Sequence, residues 1–133
     1  MIFGVGTDIV EVARIRRIVD RFGERFASRI LSPGEFTAYR ASRRPVPFLA
    51  KHFAAKEAMV KALGTGFSNG IRVREIAVVH ARSGQPLIDC CGRTRTIIKE
   101  MGVGQAFLSI ADEDAYTIAF VTLEMNRKST SDR

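Results

Sequence analysis

The chain lacks any apolar run approaching the roughly 20 residues needed to span a bilayer. Its opening, Met1-Ile2-Phe3-Gly4-Val5-Gly6, has neither the basic region nor the cleavage site of a signal peptide. A soluble, cytoplasmic protein with no membrane partner is expected. Cysteine is scarce: Cys90 and Cys91 are adjacent, a poor geometry for an ordinary disulfide, and the two histidines, His52 and His80, leave too few ligands for a zinc site. Structural packing in a reducing compartment is the expected role of both thiols. The glycine pair in Gly64-Thr65-Gly66 is not followed by the Lys-Ser/Thr ending of a P-loop, which argues against nucleoside triphosphate binding. Negative charge is the minority sign, 14 Asp and Glu against 21 Lys and Arg for a net +7, so an anionic partner or substrate is implied. Nucleic acid, a phosphorylated cofactor and an acidic protein surface all satisfy that balance.

With 133 residues and 46% hydrophobic content the chain can build one core, and a single domain over residues 1–125 is expected, followed by a polar, disordered tail over 126–133. Residues 2–10 are apolar and β-branched and read as a first strand. From Val12 the period changes to a helical one through Ile15, Ile18, Val19, Phe22 and Phe26, with Gly23 able to split the stretch in two. Ser32-Pro33-Gly34-Glu35 has the form of a capping box and predicts a short helix through Tyr39. Ala41 to Pro47 reads as a connection, Phe48 to Leu63 as the longest helix, and Gly64 as its left-handed cap. Strands are predicted over Ile71 to Val79, Leu87 to Cys90, Gln105 to Ala111 and Ala115 to Glu124, with a helix over Gly92 to Met101. The pattern predicts an α+β fold: one small domain with a largely antiparallel sheet packed against a long buried helix.

Two segments place an acid among apolar residues: Gly6-Thr7-Asp8-Ile9-Val10-Glu11, and the run from Phe53 to Gly64 that contains Glu57. An ionised carboxylate taken out of water needs a partner. On a helical wheel of about 100° per residue, Glu57 and Lys61 lie about 40° apart, beside Ala50 and Ala54, whose small side chains leave room for something large. Lys56 falls among apolar residues, where it must reach out along its methylenes or meet an anion. Taken singly, Glu57 and Lys61 also read as an i, i+4 pair, and Asp8-Ile9-Val10-Glu11 as a capping box with Asp8 at the N-cap. Taken together, Asp8 and Glu57 suit a hard cation such as Mg²⁺, with Lys61 facing a phosphate, an arrangement fit for phosphoryl chemistry. Gly64-Thr65-Gly66 reads first as a cap and second as a phosphate contact. Arg14, Arg17, Arg21 and Arg25 share an arc of about 80° on the first helix, either as a solvated face or as a dock for an acidic protein.

These residues together resemble the holo-[acyl carrier protein] synthase family of small bacterial 4'-phosphopantetheinyl transferases. The resemblance runs from Gly4-Val5-Gly6-Thr7-Asp8-Ile9-Val10-Glu11 through Phe53 to Gly66 and on to the closing hairpin. It implies transfer of phosphopantetheine from coenzyme A to a serine of acyl carrier protein, in fatty acid biosynthesis, with release of adenosine 3',5'-bisphosphate. By the same likeness Asp8 and Glu57 bind Mg²⁺ with the CoA pyrophosphate, and Lys61 attends the phosphate and leaving group. Gly64, Thr65, Gly66, Pro86 and Ser109 lie near the cofactor, and the first helix docks the acidic carrier. A homotrimer with sites at subunit interfaces is also implied. Phe107 and Ala111 stand where many relatives carry histidines, which leaves Glu57, or a water it orients, as the base. Carrier domains of polyketide or peptide synthases are alternative acceptors. A small RNA-binding module is the rival of a different class; Tyr116, Phe107 and Phe120 are its scattered aromatic candidates.

Overall fold

Strand β1 (Ile2–Glu11) carries different side chains on its two faces. Val5, Thr7, Ile9 and Glu11 alternate with Gly4, Gly6, Asp8 and Val10, as the period of two requires. In the computed structural model, which describes residues 1–127, β1 pairs antiparallel with β5 (Tyr116–Met125), and β5 with β4 (Val103–Asp112), in the order β1-β5-β4. Helix α4 (Pro45–Leu63) covers the face that bears the glycines. A methyl group on Gly4 would collide with the Ala62 carbonyl oxygen, and one on Gly6 with that of Ala58. Helix and strand therefore touch backbone to backbone. Ala50, Ala54, Ala58 and Ala62, one per turn, form the buried ridge of α4, so the space expected beside Ala50 and Ala54 is already filled by protein.

The remaining elements buttress this pair. Helices α1 (Val12–Phe22) and α2 (Glu24–Ile30) are separated at Gly23, whose φ of 61° suits glycine; α3 (Pro33–Ala41) follows. α4 begins at Pro45, three residues before the predicted start, because prolines in a first helical turn forfeit no intrahelical bond. Gly64 closes it in the left-handed conformation, φ 79°. A separate antiparallel hairpin is formed by β2 (Ile76–His80) and β3 (Pro86–Cys90), followed by α5 (Gly92–Glu100). The strand predicted from Ile71 starts only at Ile76. Before it, Glu75 accepts bonds from the Thr94 amide (3.1 Å) and hydroxyl (2.8 Å), and this tie holds Val73–Glu75 in a 3₁₀ turn. The Asn126 amide bonds the Gly102 carbonyl at 2.7 Å; the rest of the expected tail, 128–133, lies outside the described residues.

One buried polar cluster ties α4 to three other elements. The predicted capping box forms: Ser32 Oγ accepts from the Glu35 amide (3.3 Å), and Glu35 Oε1 accepts from the Ser32 amide (2.8 Å). The same Oε1 accepts from Lys56 Nζ at 2.6 Å, while Oε2 meets His52 Nδ1 at 2.6 Å and the Val78 amide at 2.9 Å. Lys56, fully buried, also donates to the carbonyls of Ile30 (2.8 Å) and Val73 (3.1 Å). Lys56 thus meets an anion, one of the two fates open to it. Burial alone would raise the Glu35 pKa, but the His52 bond, the Lys56 charge and bond, and the Val78 amide outweigh it and bring it from 4.5 to about 2. Burial of Lys56 lowers its pKa, with Glu35 opposing the shift. Burial likewise pushes the Cys90 thiol up to about 12, in keeping with a packing role, whereas Cys91, also free, is exposed and does not share that role.

Because the folded Glu35 carboxyl titrates below its unfolded value, its stabilisation is complete above about pH 4.5 and is lost as pH falls toward about 2. Glu35→Ala, which strands the Lys56 charge, should cost about 3–5 kcal/mol in urea unfolding at pH 7 and flatten the acid limb of the stability curve.

Candidate active site

Asp8 follows Gly6 on the helix-facing side of β1, in register with Ala119 in mid-strand. This overturns its reading as a helix N-cap, since Glu11 occupies that position and caps without a side-chain bond. The close contact of β1 with α4 places Asp8 against the last turns of the helix. Lys61 Nζ donates to Asp8 Oδ1 at 2.9 Å and to the Thr7 carbonyl at 3.0 Å. Lys61 is thereby drawn across to the strand rather than to Glu57 in the i, i+4 pairing. The side chain of Asp8 is 15% exposed and that of Lys61 53%, so the pair opens to solvent on the lysine side.

Glu57, one turn before Lys61, is half-buried and among the described residues has no hydrogen-bond or ion-pair partner. Its pKa is raised, first by burial and then by the neighbouring Asp8 charge, while Lys61 and Arg14 pull it down. Charged side chains from β1, α4 and α1 therefore converge on Glu57. Among the described residues no set of three or more His, Cys, Asp or Glu is gathered. The two carboxylates, one unpartnered and each repelling the other, suit a hard divalent cation that takes one or two carboxylates and completes its shell with water and phosphate oxygens.

The other predicted site residues are placed unevenly. The amides of Gly64 and Gly66 are turned back on α4: Gly64 donates to Val60 (3.0 Å) and Lys61 (3.1 Å), and Gly66 to Val60 (3.4 Å). The Thr65 hydroxyl bonds the Gly66 carbonyl at 2.7 Å. The cap reading of this loop stands, and those two amides are not directed at a ligand. Pro86 opens β3 opposite His80, on the separate hairpin. Ser109 sits opposite Phe120 on the sheet face away from α4, so within one chain it is screened from the acids by the sheet.

Arg14, Arg17 and Arg21 are exposed on α1, with Arg17 paired to Glu11 at 3.4 Å and Arg21 over the Phe22 ring at 5.3 Å. Arg25 falls on α2, beyond the Gly23 break, so the four do not share one continuous arc. Three further arginines near this face, Arg29, Arg72 and Arg74, escaped the sequence reading because a loop and a separate helix supply them. The aromatics expected to be scattered are not. Phe107, Phe120 and Tyr116 join Val5, Ile9 and Ile118 on the outer sheet face, each 45–61% exposed.

Asp8→Asn should lower the Glu57 pKa, since it removes the repelling charge and leaves Lys61 free to turn toward Glu57. Carbon-detected NMR titration of the side-chain carboxyls reads this directly; an unchanged or higher value would show that the two acids do not interact.

Residues 4–121 match the model of the 4'-phosphopantetheinyl transferase superfamily. A holo-[acyl-carrier-protein] synthase of Nitrosococcus oceani is 49% identical over 128 residues, covering 96% of this chain and 83% of that protein. The crystal structure of a holo-[acyl-carrier-protein] synthase from Neisseria meningitidis superposes with a TM-score of 0.90 at 41% identity, covering 93% of this chain and 99% of that one. The Bacillus anthracis synthase, solved in complex with CoA (3',5'-ADP), has a TM-score of 0.78 at 32% identity, covering 95% and 99%.

Proposed function

This chain belongs to the holo-[acyl-carrier-protein] synthases of the 4'-phosphopantetheinyl transferase superfamily, and on that premise we propose that it transfers 4'-phosphopantetheine from coenzyme A to a serine of apo acyl carrier protein. The reaction releases adenosine 3',5'-bisphosphate and serves fatty acid biosynthesis in the cytoplasm. The observation that carries the reading is the meeting of Asp8, Glu57 and Lys61 at the contact of β1 with α4.

Asp8 and Glu57 would hold Mg²⁺, which supplies Lewis-acid stabilisation to the CoA pyrophosphate. Lys61, already anchored on Asp8 and half exposed, sets a second positive charge where the leaving phosphate gathers negative charge. Glu57, or a water it orients, is the base: it faces Asp8 and Lys61, and among the described residues no hydrogen-bond donor competes for its oxygens. The carrier serine Oγ bonds to the phosphorus nearest pantetheine, its proton passes to Glu57 directly or through a water, and the P–O bond to adenosine 3',5'-bisphosphate breaks. Phe107 and Ala111 offer no titratable group to replace Glu57 in this step.

We also propose a homotrimer joined through the outer sheet face. Val5, Ile9, Phe107, Ile118 and Phe120 lie on neighbouring strands, with Val5, Thr122 and Phe107 in one row and Thr7, Phe120 and Ser109 in the next. An exposed apolar patch of this kind marks a protein contact. No lysine or arginine stands on these strands, which argues against RNA as its occupant. Ser109 on the same face agrees with a site completed by a second copy.

Glu57→Gln or Asp8→Ala should reduce transfer by about 100-fold or more while the circular dichroism spectrum stays native. Incubation with apo carrier, CoA and Mg²⁺, followed by intact mass measurement of the carrier, reads the outcome, and full activity in either variant would remove this mechanism. Phe120→Glu, at the centre of the outer face, should yield monomers by analytical ultracentrifugation where the parent gives trimers.

A further inference from the structure

A cavity of about 480 Å³ lies between β3, α5 and the start of β4, and none of the transfer-site residues or implied cofactor contacts lines it. Met59 is at its base. That residue is two positions from Glu57 and two from Lys61, so at about 100° per residue it points about 160° away from both. Glu57 and Lys61 therefore leave one side of α4, and the cavity opens on the other.

Its volume is in the range of small-molecule sites, and its lining divides into an apolar interior and a charged mouth. Met59, Ile98 and Val103 are buried, and Ile88 and Cys90 are partly so. The Cys90 thiol, held neutral by its burial, adds to the apolar wall, and the unbranched Met59 side chain adapts to a flexible chain beside it. At the mouth, Arg95 and Lys99 stand four residues apart on one face of α5. Both are exposed, and their side chains make no hydrogen bond or ion pair among the described residues. Asp89 faces the same cavity, and the two cations outnumber it. The mouth therefore accepts an anion while the interior accepts hydrocarbon. No aromatic ring lines the cavity among the described residues, so a nucleobase has nothing to stack on.

We propose that this cavity binds a linear fatty carboxylate of medium chain length, its carboxylate on Arg95 and Lys99 and its chain along Met59, Ile98 and Val103. Two cations within about one helical turn offer the carboxylate charge-assisted hydrogen bonds, and withdrawal of the chain from water adds affinity in proportion to its length. This binding is independent of the transfer reaction. The cavity is unreadable from any one segment because α4, β3, α5 and β4 each supply part of its wall.

Isothermal titration of the full chain with dodecanoate, below its micellar concentration, reads the affinity, and NMR of methyl-labelled methionine reads the location. Dodecanoate should bind with a shift of the Met59 methyl signal while that of Met1 stays in place. Dodecanol, with the same chain and no charge, should bind at least about tenfold more weakly, and acetate not at all. Arg95→Glu and Lys99→Glu, both on the exposed face of α5, should each weaken dodecanoate about tenfold, and Ala106→Phe, which fills the cavity from β4, should abolish binding. Thermal melting of each variant controls for folding, and the two surface variants carry the test if Ala106→Phe melts early. Saturating CoA should change dodecanoate affinity less than about twofold. Absence of binding, equal affinity for dodecanol, unchanged affinity in both charge variants, an unmoved Met59 signal or displacement of dodecanoate by CoA would each overturn the proposal.

Discussion

The closeness of α4 to β1 is the constraint from which the rest of the structure follows. Glycine at positions 4 and 6 and alanine at 50, 54, 58 and 62 remove the side chains that would hold helix and strand apart. Larger residues at these positions would collide with the facing backbone and push helix and strand apart, carrying a carboxylate on the strand away from the charged residues of the helix. Here the Lys61 ammonium reaches both the Asp8 carboxylate and the Thr7 carbonyl, and Asp8 lies close enough to raise the pKa of Glu57. The small residues act on chemistry through distance alone.

The buried Glu35 cluster fixes the other side of the same helix. Lys56 precedes Glu57 directly and donates three bonds, to α3, to the end of α2 and to the turn before β2. A charge buried this deeply is stabilising only while every partner is in place. It therefore specifies the rotation of α4 about its axis, and with it the direction in which Glu57 leaves the helix. Lys56 and Glu57 are neighbours turned opposite ways, one into the core to hold the helix and one toward Asp8.

Much of this was legible in the residues. Helix starts and stops declared themselves where the signal is local: Ser32 and Glu35 as a capping box, Gly64 as a left-handed end, Gly23 as a break. The approach of Asp8 to Glu57 was legible as a question, two acids in apolar segments needing a partner. What failed depends on tertiary contact. The alanines of α4 looked like room for a ligand because a wheel cannot show the strand that fills it. The 3₁₀ turn at Val73–Glu75 hangs on Thr94, nineteen residues away, and the gathering of Phe107, Phe120 and Tyr116 depends on strand register. Burial of Lys56 was legible, but its partner Glu35 was already assigned to a cap, and one carboxylate serving both functions is not a sequence pattern.

The account's central claim is that one cation is held jointly by Asp8 and Glu57. Carbon-detected NMR of the side-chain carboxyls, with Mn²⁺ in place of Mg²⁺ and CoA present, tests it most directly through paramagnetic broadening. The account predicts that the Asp8 and Glu57 signals broaden together at the same metal occupancy and that Glu35 is far less affected. Broadening of only one of the two, or of neither while CoA and metal are bound, would contradict it.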